Sequence, residues 1–486
     1  MRHGAGVLAC VCLVASLAPR PGAAGSVSPL IEAVRTGDLD TVRTLIARRA
    51  DVREAHGDGT TALHWAAHRD DGPAAGLLLR AGANVNAAND LGATPLYLAC
   101  TNGSAAMVEQ LLEAGADPNA ALLNGETPLM NCARTGDARA VRALTARGAR
   151  VNERESAHSQ SALMWAAAQG HGDVVAALVA AGGDIHARSR VYSQVVTSEV
   201  TQRAGREELN YSVRRGGSTP LLFAARSGDA ASALALLDAG ASANDALADG
   251  MPALTLAAYS GHGAVAAVLL ERGAEANAAA IGFVALHAAV LRSDATLVRT
   301  LLARGASPNA AMTKGTPMRR TSQDFDLPAA LIPSTPYLLA ARFLEPEILR
   351  ILHGGGADPR ATMGDGTTAL MLAVGMGASA TLDRRGVALI DGGRAPGEDR
   401  VLRAVEAIVE AGVDVNATAR GGDTALHAAA AAGLNRVVAA LAQAGAAVNA
   451  KNARGQTPLG ALLARRAPAA DRASTMALLR SLGAVE

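Results

Sequence analysis

The stretch GTTALHWAAH, residues 59–68, places His64 and His68 four residues apart around Trp65. On an α-helix this spacing puts both imidazoles on one face, which is how one class of zinc hydrolases holds its metal ion. Such a site also needs a glutamate beside the first histidine and a third ligand farther along the chain. Trp65 stands where the glutamate would be, and the sequence offers no matching downstream ligand. Metal binding is therefore the weaker interpretation of this pair.

The composition points to a layered architecture. Half of the 486 residues are apolar, yet only 2% are aromatic. A large compact core usually draws on aromatic side chains for buried area, so this composition favours many thin layers of alanine and leucine. The formal net charge is +1, which argues against a nucleic acid or a membrane surface as the partner.

Residues 1–24 have the layout of a secretory signal peptide. Arg2 and His3 precede an apolar run over residues 5–18, and small residues follow. We expect cleavage after Ala24 and a periplasmic or secreted protein; the alternative is an uncleaved anchor. No later segment is long and apolar enough to span a membrane.

A tetrapeptide of the type Thr-Pro-Leu-His recurs along the chain, most often at a spacing of 33 residues. Twelve such units account for residues 25–486 as a single domain, with three longer gaps. In most units a glycine stands two residues before the tetrapeptide, Thr can cap a short helix, and a second apolar helix ends at another glycine. The copies are SPLI at 28–31, TALH at 61–64, TPLY at 94–97, TPLM at 127–130, SALM at 161–164, TPLL at 219–222, PALT at 252–255, VALH at 284–287, TPYL at 335–338, TALM at 368–371, TALH at 424–427 and TPLG at 457–460.

This repeated sequence pattern resembles that of the ankyrin repeat family from about Ser26 to Glu486. The resemblance implies an all-α repeat solenoid of about twelve helix–turn–helix units joined by β-hairpin fingers. It also implies that His64, His287 and His427, at the fourth position of the tetrapeptide, bond within and between neighbouring repeats.

The family pattern also accounts for the remaining reactive and aromatic side chains. Cys100 and Cys132 occupy positions of paired alanines, so we expect buried cysteines that stand in for alanine there, and two cysteines do not predict a disulfide framework. Trp65 and Trp165 follow the tetrapeptide, where the family packs one repeat on the next. We expect both indoles to be partly exposed.

The resemblance places the two residues after the paired alanines on an exposed concave face. Arginine recurs there, and guanidinium groups bind carboxylates and stack on aromatic rings, so an acidic or extended protein segment suits this face. The alternative is that these arginines only keep the surface solvated. The candidate binding residues are Arg35, His68, Arg69, Asn102, Arg134, Gln169, Arg226, Tyr259, Arg292, Arg342 and Phe343.

Three insertions interrupt the repeats, at about 187–216, 308–331 and 378–399. The first two lengthen fingers, whereas the third separates the two helices of one repeat. Such loops commonly serve recognition, although disordered decoration is an equal alternative. The candidate binding residues in them are Arg203, Arg206, Arg214, Arg215, Arg319 and Arg320.

The sequence thus predicts an exported interaction scaffold without catalysis or cofactor, monomeric and bound to an unidentified protein. The alternative is a secreted effector or an enzyme-like activity housed in the insertions. Against an enzyme stands the lack of a G-x-S-x-G elbow, a phosphate-binding P-loop or a C-x-x-C pair.

Overall fold

Two compact units make up the chain in the computed structural model. The first runs to Ala166 and includes residues 180–183, and the second comprises residues 167–179 and the chain from Asp184 onward. The structure describes residues 28–197, 210–279, 281–315, 331–376, 397–464 and 469–485. The predicted signal peptide lies outside the described residues, as do four candidate arginines, Arg203, Arg206, Arg319 and Arg320.

Short α-helices come in pairs along the described chain, one pair for each predicted repeat. We number the repeats 1 to 12 and call the two members of a pair its first and second helix. Repeats 1 to 5 contain α1 Pro29–Thr36 and α2 Leu39–Ala47, α3 Ala62–His68 and α4 Gly72–Arg80, α5 Pro95–Thr101 and α6 Ala105–Glu113, α7 Pro128–Thr135 and α8 Ala138–Ala146, and α9 Ala162–Gln169 and α10 Gly172–Ala180. Repeats 6 to 9 contain α11 Pro220–Ser227 and α12 Ala230–Asp238, α13 Ala253–Ser260 and α14 Gly263–Glu271, α15 Ala285–Leu291 and α16 Ala295–Ala303, and α17 Pro336–Arg342 and α18 Pro346–Gly354. Repeats 10 to 12 contain α19 Ala369–Ala373 and α20 Glu398–Glu410, α21 Ala425–Ala432 and α22 Asn435–Gln443, and α23 Pro458–Ala464 and α24 Ala469–Ser481. The predicted all-α repeat solenoid is confirmed, and no helix in the described residues has the length and apolar character needed to cross a membrane.

The helices start where the sequence supplies a cap. The hydroxyl of Thr94 accepts a hydrogen bond from the backbone N–H of Tyr97 at 3.3 Å at the start of α5. A carboxylate does the same for a second helix, because Asp71 accepts from the N–H of Ala74 at 2.9 Å. Each cap satisfies one of the four N–H groups that the first turn leaves without a helical partner.

Glycine before the tetrapeptide is required by its backbone conformation. Gly59 and Gly92 have φ of 82° and 81°, in the left-handed region that other residues adopt at a cost. A Cβ atom on Gly59 would also lie 2.9 Å from the Cα of Asn89 in the next return between repeats. Glycine at this point therefore sets both the turn and the close approach of neighbouring fingers.

Paired alanines on the first helices and leucines on the second helices form the core. Ala66 and Ala67 of α3 are fully buried, as are Leu78 of α4 and Leu111 of α6. Burial of one leucine side chain contributes about 2 kcal/mol of transfer free energy. The small alanines let neighbouring first helices pack closely, and α3 packs on α5 and α5 on α7.

The first insertion forms a β-hairpin, which confirms a lengthened finger in its described parts. Strand β1, Tyr192–Thr197, pairs antiparallel with β2, Asn210–Arg215, so that Tyr192 lies opposite Arg215. The third insertion separates α19 from α20 within repeat 10, as predicted. Residues 316–330 of the second insertion and 377–396 of the third lie outside the described residues.

Cys100 and Cys132 are buried, as expected, but they also form a disulfide that the sequence pattern did not predict. Their separation is 32 residues, one fewer than the repeat. Cys100 therefore takes the second place of its small-residue pair, after Ala99, whereas Cys132 takes the first place of the next pair, before Ala133. These two places face each other across the stacked helices α5 and α7, with the Cα atoms 4.6 Å apart.

Candidate partner-binding surface

The histidine at the fourth tetrapeptide position is a structural bridge. Nδ1 of His64 accepts a hydrogen bond from the N–H of Thr61 at 3.1 Å, and Nε2 donates to the carbonyl of Ala93 in the next repeat at 2.9 Å. Burial lowers the pKa of His64 below its ordinary value, so the imidazole is neutral near pH 7. His427 makes the same two kinds of bond, to Thr424 and Gln456. The predicted bonding within and between repeats is confirmed.

His64 and His68 do not form a metal site. Both ring nitrogens of His64 are used in hydrogen bonds. His68 is half-buried, packs edge-on against Trp65 with ring centroids 6.0 Å apart, and has a lowered pKa because of burial and the nearby Arg69. In the residues that the structure describes, no group of three or more His, Cys, Asp and Glu side chains could hold a metal ion.

Several predicted groove residues are hydrogen-bond donors to the preceding repeat. Arg69 donates from Nη1 to the carbonyl of Arg35 at 3.1 Å, and Asn102 donates from Nδ2 to the carbonyl of Ala67 at 3.0 Å. Carbonyls in the last turn of a helix lack intrahelical partners, so these side chains cap one helix from the next. This role is not apparent from any single repeat, although its signal was present as a run of donors at one position. The other donors at that position are Thr135 to Cys100, Ser227 to Ala167 and Arg292 to Tyr259. His262, two residues beyond the equivalent Ser260, donates to the carbonyl of Arg226.

Two of the candidate arginines lie over aromatic rings. The guanidinium of Arg134 is 5.7 Å from the centroid of Trp165, and that of Arg292 is 5.9 Å from the ring of Tyr259. Both indoles are half-buried, as expected, and the Leu98 side chain at the same position is buried. Stacking of this kind holds a guanidinium in a fixed orientation and adds a cation–π attraction.

Other candidates are exposed on the surface. Gln169, Arg226 and Arg35 are all exposed, although Arg35 binds the carboxylate of Glu32 through two hydrogen bonds of 2.6 and 2.7 Å. Arg35 therefore already has an acidic partner within its own helix.

Arg342 and Phe343 do not face an open groove, so the prediction of exposure at these two residues is wrong. Their side chains are only 9% and 7% exposed, and burial lowers the pKa of Arg342. The chain returning after the third insertion covers this end of repeat 9. Arg400, near the start of α20, donates to the carbonyl of Phe343 at 3.2 Å and pairs with Glu345 at 3.4 Å.

The finger tips of repeats 3 and 4 present apolar side chains that the sequence analysis did not single out. Leu91 is 41% exposed and Leu123 is 81% exposed. The two tips are joined because the N–H of Leu123 donates to the carbonyl of Leu91 at 3.1 Å. A signal existed, since Asp58 and Asn124 hold the place of Leu91 in the adjacent fingers, and Asp90 holds the place of Leu123 in the preceding finger.

A depression of about 720 Å³ opens beside the return between repeats 2 and 3. Its lining includes Arg53, Thr61, Asn84 and Asn86 among small residues, and no carboxylate or imidazole lines it. Acid–base chemistry needs titratable groups near neutral pH, so this depression is not suited to it.

Comparison with known proteins identifies the repeat. A family profile described as ankyrin repeats (3 copies) matches residues 30–121, 119–189, 202–280 and 221–312, and one described as ankyrin repeats (many copies) matches residues 408–459. The chain belongs to the ankyrin repeat family. The crystal structure of the human ASB11 ankyrin repeat domain is similar, with 28% identity over 51% of this chain and 99% of that one and a TM-score of 0.41. No curated protein matches the sequence.

Ankyrin repeats generally mediate protein–protein interaction and are typically non-catalytic modules. In this ankyrin chain an asparagine ladder connects the returns between repeats. Asn119 donates from Nδ2 to the carbonyl of Gly148 at 3.1 Å and accepts from the N–H of Arg150 at 2.8 Å. Asparagines at the equivalent place repeat both bonds, which are Asn86, Asn244, Asn277, Asn309, Asn416 and Asn449. The ladder holds neighbouring ankyrin fingers in register, which fixes the spacing of the exposed residues above them.

Proposed function

We propose that the protein is an exported, non-catalytic scaffold that binds a partner protein through its finger tips and the exposed ends of its first helices. The observation that carries this proposal is the pair of exposed leucines, Leu91 and Leu123, held together by a backbone hydrogen bond at adjacent finger tips. Exposed apolar side chains on a preorganised backbone favour binding, because little conformational entropy is lost when the partner arrives.

The charge of the first-helix ends supports an acidic or extended partner. Arg69 and Arg226 are exposed, and Arg134 is held in place by Trp165. A carboxylate that meets a fixed guanidinium forms two parallel hydrogen bonds and needs little reorganisation. The inter-repeat hydrogen bond of Arg69 orients its side chain and still leaves it exposed.

Export is supported by the pattern of residues 1–24 and by the disulfide between Cys100 and Cys132. Disulfides persist in the periplasm and outside the cell and are rare in the reducing cytosol. Fractionation followed by amino-terminal sequencing tests the proposal directly. We expect the mature chain in the periplasm or medium, beginning at Gly25; a full-length chain confined to the cytosol would exclude export.

The finger-tip surface is tested by crosslinking in the native cell envelope followed by mass spectrometry. We expect Leu91→Asp together with Leu123→Asp to remove a specific crosslinked partner. Leu234→Asp is the matched control, because Leu234 is 40% exposed on a second helix rather than on a finger. Equal loss in the control, or no loss in the finger variant, would contradict the proposed surface.

The first-helix ends are tested in the same way by reversing charge. Arg226→Glu together with Arg134→Glu should abolish capture of an acidic partner. Arg43→Glu is the control, since Arg43 is an exposed arginine of α2 that pairs with Asp40. Unchanged capture by the double variant, with a circular dichroism spectrum like that of the unmodified protein, would rule out this part of the surface.

A further inference from the structure

The β-hairpin of the first insertion has unpaired strand edges. In the part of the chain that the structure describes, this sheet contains β1 and β2 only. A two-stranded ribbon is marginally stable in water, and each strand leaves one row of N–H and C=O groups without a sheet partner. Val191, Tyr192 and Val195 are 43%, 50% and 68% exposed. A third strand would satisfy the backbone groups of one edge.

The base of the hairpin is firmly anchored in the second unit. Ser189 and Ser218 are joined because the N–H of Ser189 donates to the carbonyl of Ser218 at 3.0 Å. Arg188 donates to the carbonyls of Gly217 at 2.8 Å and Ala246 at 3.0 Å, and it pairs with Asp245. These bonds fix the direction in which both strands leave the solenoid, so the strand edges are preorganised.

The outer edge of β2 is the better place for an added strand. The N–H of Ala248, in the next and shorter finger, donates to the carbonyl of Gly216 at 3.4 Å. That bond places the following finger beside the base of β2, and the finger turns back at Gly250. The edge of residues 210–215 continues beyond this short finger, so a new strand would extend a pairing that Ala248 begins.

The charge of the described hairpin indicates the chemistry of the partner. Residues 187–197 and 210–217 contain no carboxylate, and besides Arg188, which pairs with Asp245, they contain Arg190, Arg214 and Arg215. Because successive side chains of a strand point to opposite faces, Arg214 and Arg215 lie on opposite faces of the hairpin. Arg214 is exposed, and Arg215 donates from Nε to Gln194 at 3.2 Å.

We propose that the outer edge of β2, residues 210–215, adds an extended strand from a partner protein, and that this strand carries two consecutive acidic residues. Adjacent carboxylates point to opposite faces, so one meets Arg214 and the other meets Arg215 across the strands. A second copy of β2 is a poor occupant, because it would bring two further arginines and no carboxylate to this edge. This inference rests on the proposed scaffold function and specifies one of its contacts.

The test uses the full mature chain and two labelled synthetic peptides of eight residues. The probe is Thr-Val-Thr-Asp-Glu-Val-Thr-Thr, and the control peptide, Thr-Val-Asp-Thr-Glu-Val-Thr-Thr, has the same composition with its acidic residues on one face. We expect the probe to bind at least fivefold more tightly than the control peptide in fluorescence anisotropy. Equal affinity for the two peptides, or no binding of the probe at 1 mM, would overturn the proposal.

Variants and hydrogen exchange locate the contact. Arg214→Glu together with Arg215→Glu should weaken probe binding at least tenfold, whereas Arg190→Glu, an equal charge change per residue outside β2, should change it less than twofold. Bound probe should slow amide exchange of residues 210–215 at least tenfold. Slowed exchange elsewhere only, or a dimer in sedimentation that the double variant dissociates, would overturn the proposal.

The experiments distinguish failure of the strand-addition inference from failure of the scaffold proposal. Leu91→Asp together with Leu123→Asp should leave probe binding unchanged, because those finger tips belong to the first unit. If the crosslinked partner is lost in the finger-tip variant while the probe fails to bind, only the strand-addition inference falls. If the probe binds to β2 but no partner is captured, only the finger-tip surface of the scaffold falls.

Discussion

His287 donates a hydrogen bond from Nε2 to the carbonyl of Ser334 at 3.3 Å, although the two residues are 47 apart in sequence. Its Nδ1 accepts from the N–H of Val284 at 3.2 Å. An imidazole can make both bonds only when it is neutral, with its proton on Nε2. Burial lowers the pKa of His287 to about 4.

Acid should therefore destabilise repeat 8 through His287. A histidine whose pKa is lower in the folded state contributes stability that is present above its unfolded pKa and is lost as pH falls. With an unfolded pKa of about 6.5 and a folded pKa near 4, the loss between pH 7.5 and pH 5 is about 2 kcal/mol. We expect His287→Met, which copies Met130 and Met371 at the same position, to remove this part of the pH dependence. Urea unfolding at the two pH values checks it, and an unchanged pH dependence in the variant would contradict the assignment.

Reduction of the disulfide should lower the stability of the first unit substantially. It closes a loop over a sequence separation of 32 residues, and the chain-entropy model gives about 4 kcal/mol for such a loop. Cys100→Ala together with Cys132→Ala restores the family's paired alanines, so core volume changes little and the lost cross-link dominates. We expect both this variant and dithiothreitol to lower the melting temperature of the first unit. A reductant that lowers the melting temperature of the double variant equally would show that the effect is not due to this bond.

The sequence predicted the repeat architecture well because its determinants are local. A glycine with positive φ, a threonine cap and a leucine at helical spacing each act within one unit, and Gly59, Thr94 and Leu111 do what their types require. The position of the hairpin followed from the insertion at about 187–216, which the repeat pattern places in a finger.

The features that the sequence did not predict depend on contacts between neighbouring repeats. Cys100 and Cys132 meet because their separation is one residue short of the repeat, a register that matters only once two helices are stacked. Arg400 binds the carbonyl of Phe343 after an insertion whose course the repeat pattern does not specify, and Arg342 beside it is buried. The inter-repeat bonds of Arg69 and Asn102 also arise only in the stack.

Arg49 should be a strained helix terminus. It has φ of 64° where the other repeats use glycine, as at Gly82 with φ of 90°. A residue with a Cβ in this region costs about 1 kcal/mol relative to glycine. We therefore expect Arg49→Gly to raise the free energy of unfolding of the first unit by about 1 kcal/mol. Gly82→Ala is the reciprocal control, because a Cβ there has open space around it, so a loss of about 1 kcal/mol reports the backbone conformation alone. If neither variant shifts the urea midpoint, the conformational argument fails.

The asparagine ladder makes the strongest stability prediction for the fingers. Asn119→Ala removes one donor and one acceptor and leaves the carbonyl of Gly148 and the N–H of Arg150 without these bonds. The variant should lower the free energy of unfolding by about 1–3 kcal/mol, because each hydrogen bond contributes about 1 kcal/mol and the remaining groups are only partly solvated. Asn119→Asp keeps the acceptor and loses the donor, so it should cost less than the alanine variant. Urea unfolding of the two variants checks the order, and equal losses would contradict a two-bond role.

The first return between repeats has the donor of this ladder but lacks the acceptor. A substitution at Arg53 should supply the missing acceptor. Arg53 takes the place of the asparagine and donates from Nε to the carbonyl of Gly82 at 3.1 Å, but arginine has no acceptor atom. One step farther along the chain, the N–H of Asp117 donates to the side chain of Asn86 at 2.7 Å. Asn84 is the residue equivalent to Asp117, so its N–H is the group that the new acceptor would meet. Arg53→Asn should supply that missing acceptor and raise the stability of the first unit by about 1 kcal/mol. Arg53→Gln is the matched control, since its longer amide does not fit the same two backbone groups. A gain in the glutamine variant equal to that of the asparagine variant would mean that removal of the arginine charge, rather than the ladder, stabilises the return.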